Sequence, residues 1–260
     1  MSKKIPRVLI TAGASGIGLV IAKAFLAAGA QVHICDISSE AITKLALEIP
    51  AITSTLADIS DIDQVDQVFE DLNRLHGTLD VLINNVGVSG PTALVENIDS
   101  ADWDQTININ LNSIFYITRK AVPLLKESKG VMINMASNAA LFGCPLRSPY
   151  VASKWAIIGL TKTWAMEMGP FGVRVNAICP GSVHGPRIDS VIIKEAKERN
   201  VSTESIRDVY QRQNSMRVFI EAEDIAQTVI FYAQIPLNIF QVRQFLLMAT
   251  LKDYQTGCKK

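Results

Sequence analysis

The sequence carries no surplus of charge of either sign, since 25 Lys and Arg balance 25 Asp and Glu over 260 residues. That removes the basic footprint by which a chain holds nucleic acid or an anionic membrane, and neither partner is expected. Histidine is scarce, with three in all, and Cys35, Cys144, Cys179 and Cys258 form no C-x-x-C pair. A zinc cluster and a disulfide framework are thereby excluded; reduced, mostly buried thiols and no bound metal are expected. Long apolar runs are missing too. The opening MSKKIPRVLITAG has two lysines and then an apolar stretch too short for a signal sequence or a membrane span, so a cytoplasmic location is expected. No internal repeat or low-complexity segment breaks the chain.

What is present is apolar material in alternation. Hydrophobic residues make up 48% of the chain, enough for a substantial core. Short β-rich runs at 8–11, 32–35, 52–56, 80–84, 131–136 and 173–178 alternate with amphipathic stretches near 17–28, 39–48, 62–76, 102–127 and 150–169. Strand and helix in strict turn predict an α/β fold, a parallel sheet with helices on both faces, in one domain over 1–233. Residues 186–215 are rich in charge and weakly periodic, and read as an excursion from the sheet where a substrate lid would fit.

Directly after the first strand comes TAGASGIG (11–18) and then a helix. Glycines permit a tight turn and close backbone approach, and a helix N-terminus offers unpaired N–H groups to a pyrophosphate. Gly13, Ser15, Gly16, Ile17 and Gly18 are therefore candidate cofactor contacts. The second strand ends at Asp36, where a carboxylate can accept both ribose hydroxyls of NAD and would repel a 2′-phosphate. No arginine follows closely, so NAD is expected in place of NADP.

Tyr150 and Lys154, in SPYVASKWAIIGL, stand four apart at the start of a helix, which puts phenol and ammonium on one face. With TAGASGIG, Asp58-Ile59, NNVG (84–87), Asn110 in NINLNSIF, Ser137 thirteen residues before Tyr150, and CPGSV (179–183), the pattern resembles the short-chain dehydrogenase/reductase family from about residue 6 to 233. The resemblance implies a Rossmann-type doubly wound sheet in three layers and an NAD-dependent oxidoreductase acting on a secondary alcohol or ketone. It implies Asn110, Ser137, Tyr150 and Lys154 as the catalytic set. Further cofactor contacts carried over are Asp58, Ile59, Asn85, Gly87, Pro180, Gly181 and Val183, with Tyr150 and Lys154 also near the nicotinamide ribose. A homo-oligomer, tetramer or dimer, is implied as well, using apolar residues of 102–127 and 150–169 beyond what one helix face needs.

A free phenol titrates near ~10, so acid–base work close to neutrality needs a neighbouring cation, which Lys154 supplies. By resemblance Ser137 donates to the substrate oxygen and Asn110 holds a water linking Lys154 to solvent. Three departures stand out. Ala12 replaces the loop's first glycine, with Gly13 expected to restore turn freedom; Val86 adds two methyl groups near the cofactor's path; Gly185 replaces a threonine, shifting the nicotinamide's support to the backbone at Val183. Leu141, Phe142, Cys144, His184, Arg187 and the lid are candidate substrate-pocket residues. A catalytically silent nucleotide-binding homologue is the alternative; a nucleotide-sugar epimerase shares Y-x-x-x-K but needs a larger C-terminal domain.

After Ala233 the tail departs from the family. QIPLNIFQVRQFLLMATLKDY can be rebuilt, codon by codon in another frame, as DSAEYISGQAIPVDGHTEGL, which restores the family's closing pattern. The expectation is that 234–260 is a frame-shifted tail and that the final strand is lost, leaving the sixth strand with an open edge.

Overall fold

The computed structural model describes residues 5–234 and 244–247. Seven parallel strands form one sheet: β1 (Arg7–Thr11), β2 (Gln31–Asp36), β3 (Ile52–Leu56), β4 (Val81–Asn84), β5 (Val131–Met135), β6 (Arg174–Pro180) and β7 (Gln244–Leu247). Their order is β3-β2-β1-β4-β5-β6-β7. The direction of winding reverses between β1 and β4, which opens a crevice at the carboxyl ends of the strands.

Alternate side chains along each strand serve opposite faces. Val8, Ile10, Val32, Ile34 and Ile83 pack with Ile21 and Phe25 of α1 (Gly16–Ala27) and with Ile225 and Val229 of α9 (Ala222–Gln234). Leu9, Leu82, Met132 and Val175 face the other layer. That layer is α3 (Ile62–His76), α5 (Ser113–Ser128) and α6 (Ser148–Met168). Burial on both faces is why the strands read as near-continuous apolar runs. Phe25, 1% exposed, is worth about 2–3 kcal/mol of burial by itself. Helix starts and stops follow local chemistry: Asp61 caps α3 by accepting the Asp63 N–H, and Gly77 ends it at φ 70.

Two expectations need correction. The stretch 102–127 is helical throughout but is not one regular α-helix. It is α4 (Ser100–Ile107), a π-helical turn over Asn108–Asn112, and α5, and such one-residue insertions into a helix are common beside functional sites. The edge of β6 is not left open: Gln244–Leu247 pair with Ala177–Pro180 in parallel. Backbone pairing asks only for an extended segment, and QFLL, with its phenylalanine and leucines, can supply one without the family's closing sequence. The rest of the frame-shift reading concerns residues outside those described.

The excursion after β6 is ordered into α7 (Pro186–Arg199) and α8 (Thr203–Arg212), which share a small core of Val191, Ile192, Ala196, Ile206 and Tyr210. Its base is stitched where Ile220 donates to Ser182 O and accepts from His184 N–H, each at 2.9 Å.

Candidate active site

The crevice holds a cavity of about 350 Å³ that runs from the glycine loop to the lid. At the loop end the backbone does the shaping. Gly16 takes φ 52 with open space where a side chain would project, at the start of α1, whose Ser15 makes no side-chain cap. The first N–H groups of that helix are left to a ligand. Ser15, Gly16 and Ile17 line the cavity, as does Asn85, which donates to the carbonyls of Thr11 and Ala12 at 3.0 Å each and pins the loop to β4.

Gly13 and Gly18 act behind the cavity. A Cβ on Gly13 would lie 2.6 Å from Ile34, and one on Gly18 would lie 2.1 Å from the Ala12 carbonyl oxygen. Turn freedom at this loop is not restored by Gly13: Ala12 itself sits at φ 50, strain that a glycine there would avoid. Asp36, 8% exposed at the end of β2, accepts the N–H groups of Ala14 (3.0 Å) and Ser38 (3.1 Å). Its carboxylate is thus locked beside the glycine loop with lone pairs to spare for hydroxyls.

At the chemical end, Tyr150 and Lys154 project from the first turns of α6, with the Lys154 Nζ 5.8 Å from the phenol ring centre. Lys154 is 4% exposed and donates to Met135 O at 2.9 Å. Burial, with help from the nearby Arg187 charge, pulls its pKa down to about 7. α6 is held to the sheet by a buried chain in which Asn84 donates to Asn134 and Asn134 to Thr161, at 2.8 and 2.9 Å. Ser137, just past β5, accepts from Ala139 N–H at 3.2 Å and lines the same cavity as Tyr150 and Lys154.

Asn110 does not line the cavity. It is fully buried in the π-helical turn, accepts from Val88 N–H (2.7 Å), and donates to Val88 O and Ser153 Oγ. It positions the strand-end loop. It also approaches Lys154 around Gly87, whose absent Cβ would lie 3.3 Å from Asn110 Oδ1 and 3.4 Å from Lys154 Nζ. Pro180, Gly181 and Val183 line the opposite wall. The bridge to Ile220 uses the backbone on either side of Val183 and leaves its own N–H and C=O outside that pairing. Gly185 adopts φ 136, a conformation that threonine would hold only under strain, so the departure suits this backbone.

Several candidate contacts do not line this cavity. Asp58 accepts from Ser60 N–H and hydroxyl in a local turn, and Ile59, 4% exposed, belongs to the core. Neither lines this cavity. Val86 and Leu141 are partly buried against the core and do not line the cavity either. Phe142, Cys144, His184 and Arg187 do line it.

The sequence reading missed Arg147, Tyr210 and Glu195. Arg147 is 5% exposed, lines the cavity, and puts its guanidinium carbon 4.8 Å from the Tyr150 ring centre. Glu195, 4% exposed, accepts from Tyr210 OH and Arg199 Nε at 2.7 Å each and closes the lid wall. A basic residue three before Tyr150 was the available signal for the first; nothing in the spacing signals the Glu195–Tyr210 pair.

Cys35, Cys144 and Cys179 are free thiols. Among the described residues no group of acidic, histidine or cysteine side chains could hold a metal, and no helix is long and apolar enough to cross a membrane.

Residues 6–195 match the family described as short chain dehydrogenase. A 3-oxoacyl-[acyl-carrier-protein] reductase of Thermotoga maritima is 33% identical over 230 residues, 86% of this chain and 89% of its own. The crystal structure of levodione reductase superposes with a TM-score of 0.87 at 28% identity, covering 94% of this chain and 96% of that one. A 3-ketoacyl-(acyl-carrier-protein) reductase from Brucella melitensis, solved with NADH, gives 0.83 at 26% identity over 94% and 97%. A nicotinamide nucleotide is the cofactor such neighbours support, and the glycine cradle fits one.

Proposed function

The chain belongs to the short chain dehydrogenase family of oxidoreductases, and from that premise we propose that it interconverts a secondary alcohol and its ketone with NAD. The observation that carries the reading is one cavity with a glycine-built anion cradle at one end and Ser137, Tyr150 and Lys154 together at the other. The nicotinamide, when bound, supplies hydride acceptance or donation at its ring carbon. Everything else falls to the chain's own residues. Ser137 holds the substrate oxygen by a hydrogen bond, and Tyr150 takes the alcohol proton as hydride leaves, or returns it in reduction. Lys154 lends positive charge to the phenol's surroundings and hydrogen-bonds to ribose hydroxyls. Asn110 positions the loop at Val88 and, through it, the space beside Lys154.

Asp36 favours NAD because a fixed, buried carboxylate meets a 2′-phosphate with like charge. Asp58 and Ile59 serve the adenine end through the turn they form, and Gly87, Pro180, Gly181 and Val183 border the nicotinamide. Phe115 and Trp155, each about half exposed on α5 and α6, suit the interface of a homo-oligomer. Nicotinamide absorbance measured with NADH and NADPH against a panel of ketones tests the reading. Turnover with NADH that vanishes in Tyr150→Phe, and a shift toward NADPH in Asp36→Ala, are the expected results. Identical behaviour of the unmodified chain and Tyr150→Phe would leave only a nucleotide-binding protein.

A further inference from the structure

The cavity is lined by Arg147, Lys154, Arg187 and His184 and, among the described residues, by no carboxylate, although Glu221 lies 3.4 Å from His184 Nδ1. Two of these cations have evident employment. Lys154 belongs to the proton chemistry, and Arg187 lies exposed in the first turn of α7, beside the nicotinamide wall. Arg147 is different. It is 95% buried by its 5% exposure, Nη2 donates to Ser89 O at 2.8 Å, and Nε is buried with no acceptor. Among the described residues it forms no ion pair: the nearby carboxylate, Glu195, spends one oxygen on Arg199 and the other on Tyr210. A buried guanidinium with an unused donor is costly unless an anion reaches it.

The surroundings of Arg147 say which anion. It sits with Ser89, Cys144, Tyr150 and Tyr210, on the lid side of the phenol, away from the glycine cradle that suits a pyrophosphate. Its backbone is held firmly as well: Leu146, just before it, takes φ 67 and accepts from Ala93 N–H at 3.1 Å. Strain tolerated by a leucine at this point fixes where the next side chain goes. Nε and the adjacent Nη2 form the edge of a guanidinium that meets a carboxylate at two points.

We propose that Arg147 is the substrate-anchoring residue and that the substrate is a short α- or β-hydroxy acid, or its keto acid, whose carboxylate accepts from the unpaired Nε of this guanidinium. The guanidinium carbon of Arg147 lies 4.8 Å from the Tyr150 ring centre and both residues line one cavity with Ser137, which favours a carboxylate close to the carbinol. In the oxidative direction the carbinol C–H leaves as hydride to NAD and the O–H proton goes to Tyr150, while the carboxylate is unchanged.

This inference rests on the oxidoreductase reading, and the experiment separates the two. The full chain is assayed on lactate and β-hydroxybutyrate and on their methyl esters, with Arg147→Met and Arg147→Lys alongside. At least about a 30-fold preference in kcat/KM for one acid over its ester is expected, as for a buried, hydrogen-bonded charge partner. That preference should collapse toward unity in Arg147→Met and recover in part in Arg147→Lys. Equal use of acid and ester, or a preference that survives Arg147→Met, overturns it. If none of these compounds is turned over, the ketone panel decides the oxidoreductase reading, and calorimetric binding of acetoacetate in a Tyr150→Phe background, with and without NADH, decides the anchoring role. Binding lost in Arg147→Met upholds it; binding that is absent or indifferent to Arg147 ends it. Should Arg147→Met not fold, Arg147→Lys and Arg147→Gln carry the same comparison.

Discussion

The two ends of the cavity are made of different material. The cofactor end is backbone: glycines where a Cβ would strike Ile34 or the Ala12 carbonyl, helix N–H groups, and one carboxylate locked by two amides. The substrate end is side chain, gathered from β4's loop, the start of α6 and the lid, with a buried arginine left short of an acceptor. Backbone shaping tolerates almost no change in residue type, because sterics decide it. Side-chain shaping can be rewritten one residue at a time, because charge and size decide it. The difference teaches where a common chemistry ends and a particular substrate begins.

The sharpest break falls on the chemical end. Tyr150→Phe is expected to lower turnover by about a thousandfold, in the range that general acid–base groups contribute, while nicotinamide affinity stays within a few-fold; single-turnover rates and cofactor fluorescence titrations read the two separately. A comparable loss of cofactor affinity would show that the two ends are not independent.

Acid should undo the cofactor end through its foundations. His33 on β2 is fully buried between Thr53 and Thr55 of β3, and burial, aided by His76, lowers its pKa to about 4. Between about 4 and the 6.5 of a free histidine the unfolded chain binds a proton that the folded chain refuses. Stability therefore falls as pH drops through that window, by roughly 3 kcal/mol in all, and this group costs nothing further above it. Chemical denaturation of His33→Gln should show an acid limb flatter by about that amount.

Gly18→Ala comes next. Its methyl group meets backbone, which cannot swing aside, so about 2 kcal/mol of strain or displacement is expected, read as roughly a 30-fold weaker nicotinamide affinity. The ester-to-acid ratio should hardly move. The smallest effect is a gain: Ala12→Gly relieves a left-handed alanine and should raise stability by about 0.5–1 kcal/mol, with a correspondingly higher melting temperature. A fall instead would mean that the Ala12 methyl group packs usefully in the loop.

The same division governs what could be read from residue order. Six of the sheet's strands, the helical character of the stretches between them and the glycine loop were legible because period and turn chemistry are local: 39–48, 52–56 and 62–76 coincide with α2 (Ser39–Glu48), β3 and α3. Tyr150 and Lys154 were legible because four residues of helix bring them together. The π-helical turn was not, since its one-residue slip leaves the apolar pattern through 102–127 nearly intact. Ala12 misled, because sequence suggests which residue prefers a left-handed backbone and not which one is forced into it. Arg147 was invisible as a ligand contact for another reason: its partners, Ser89 and Tyr210, lie 58 residues before and 63 after it, and only the fold brings them near.

The paired backbone at Ser182, His184 and Ile220 has a consequence for how such a protein changes over generations. Entry to and exit from the intervening segment sit side by side, so its thirty-odd residues form a cassette clipped on at one point. A duplicated gene could exchange that cassette, lengthening or recharging it, with little added closure entropy and no disturbance to the strands beneath. New substrates would then arise by grafting, while the nucleotide cradle is inherited untouched.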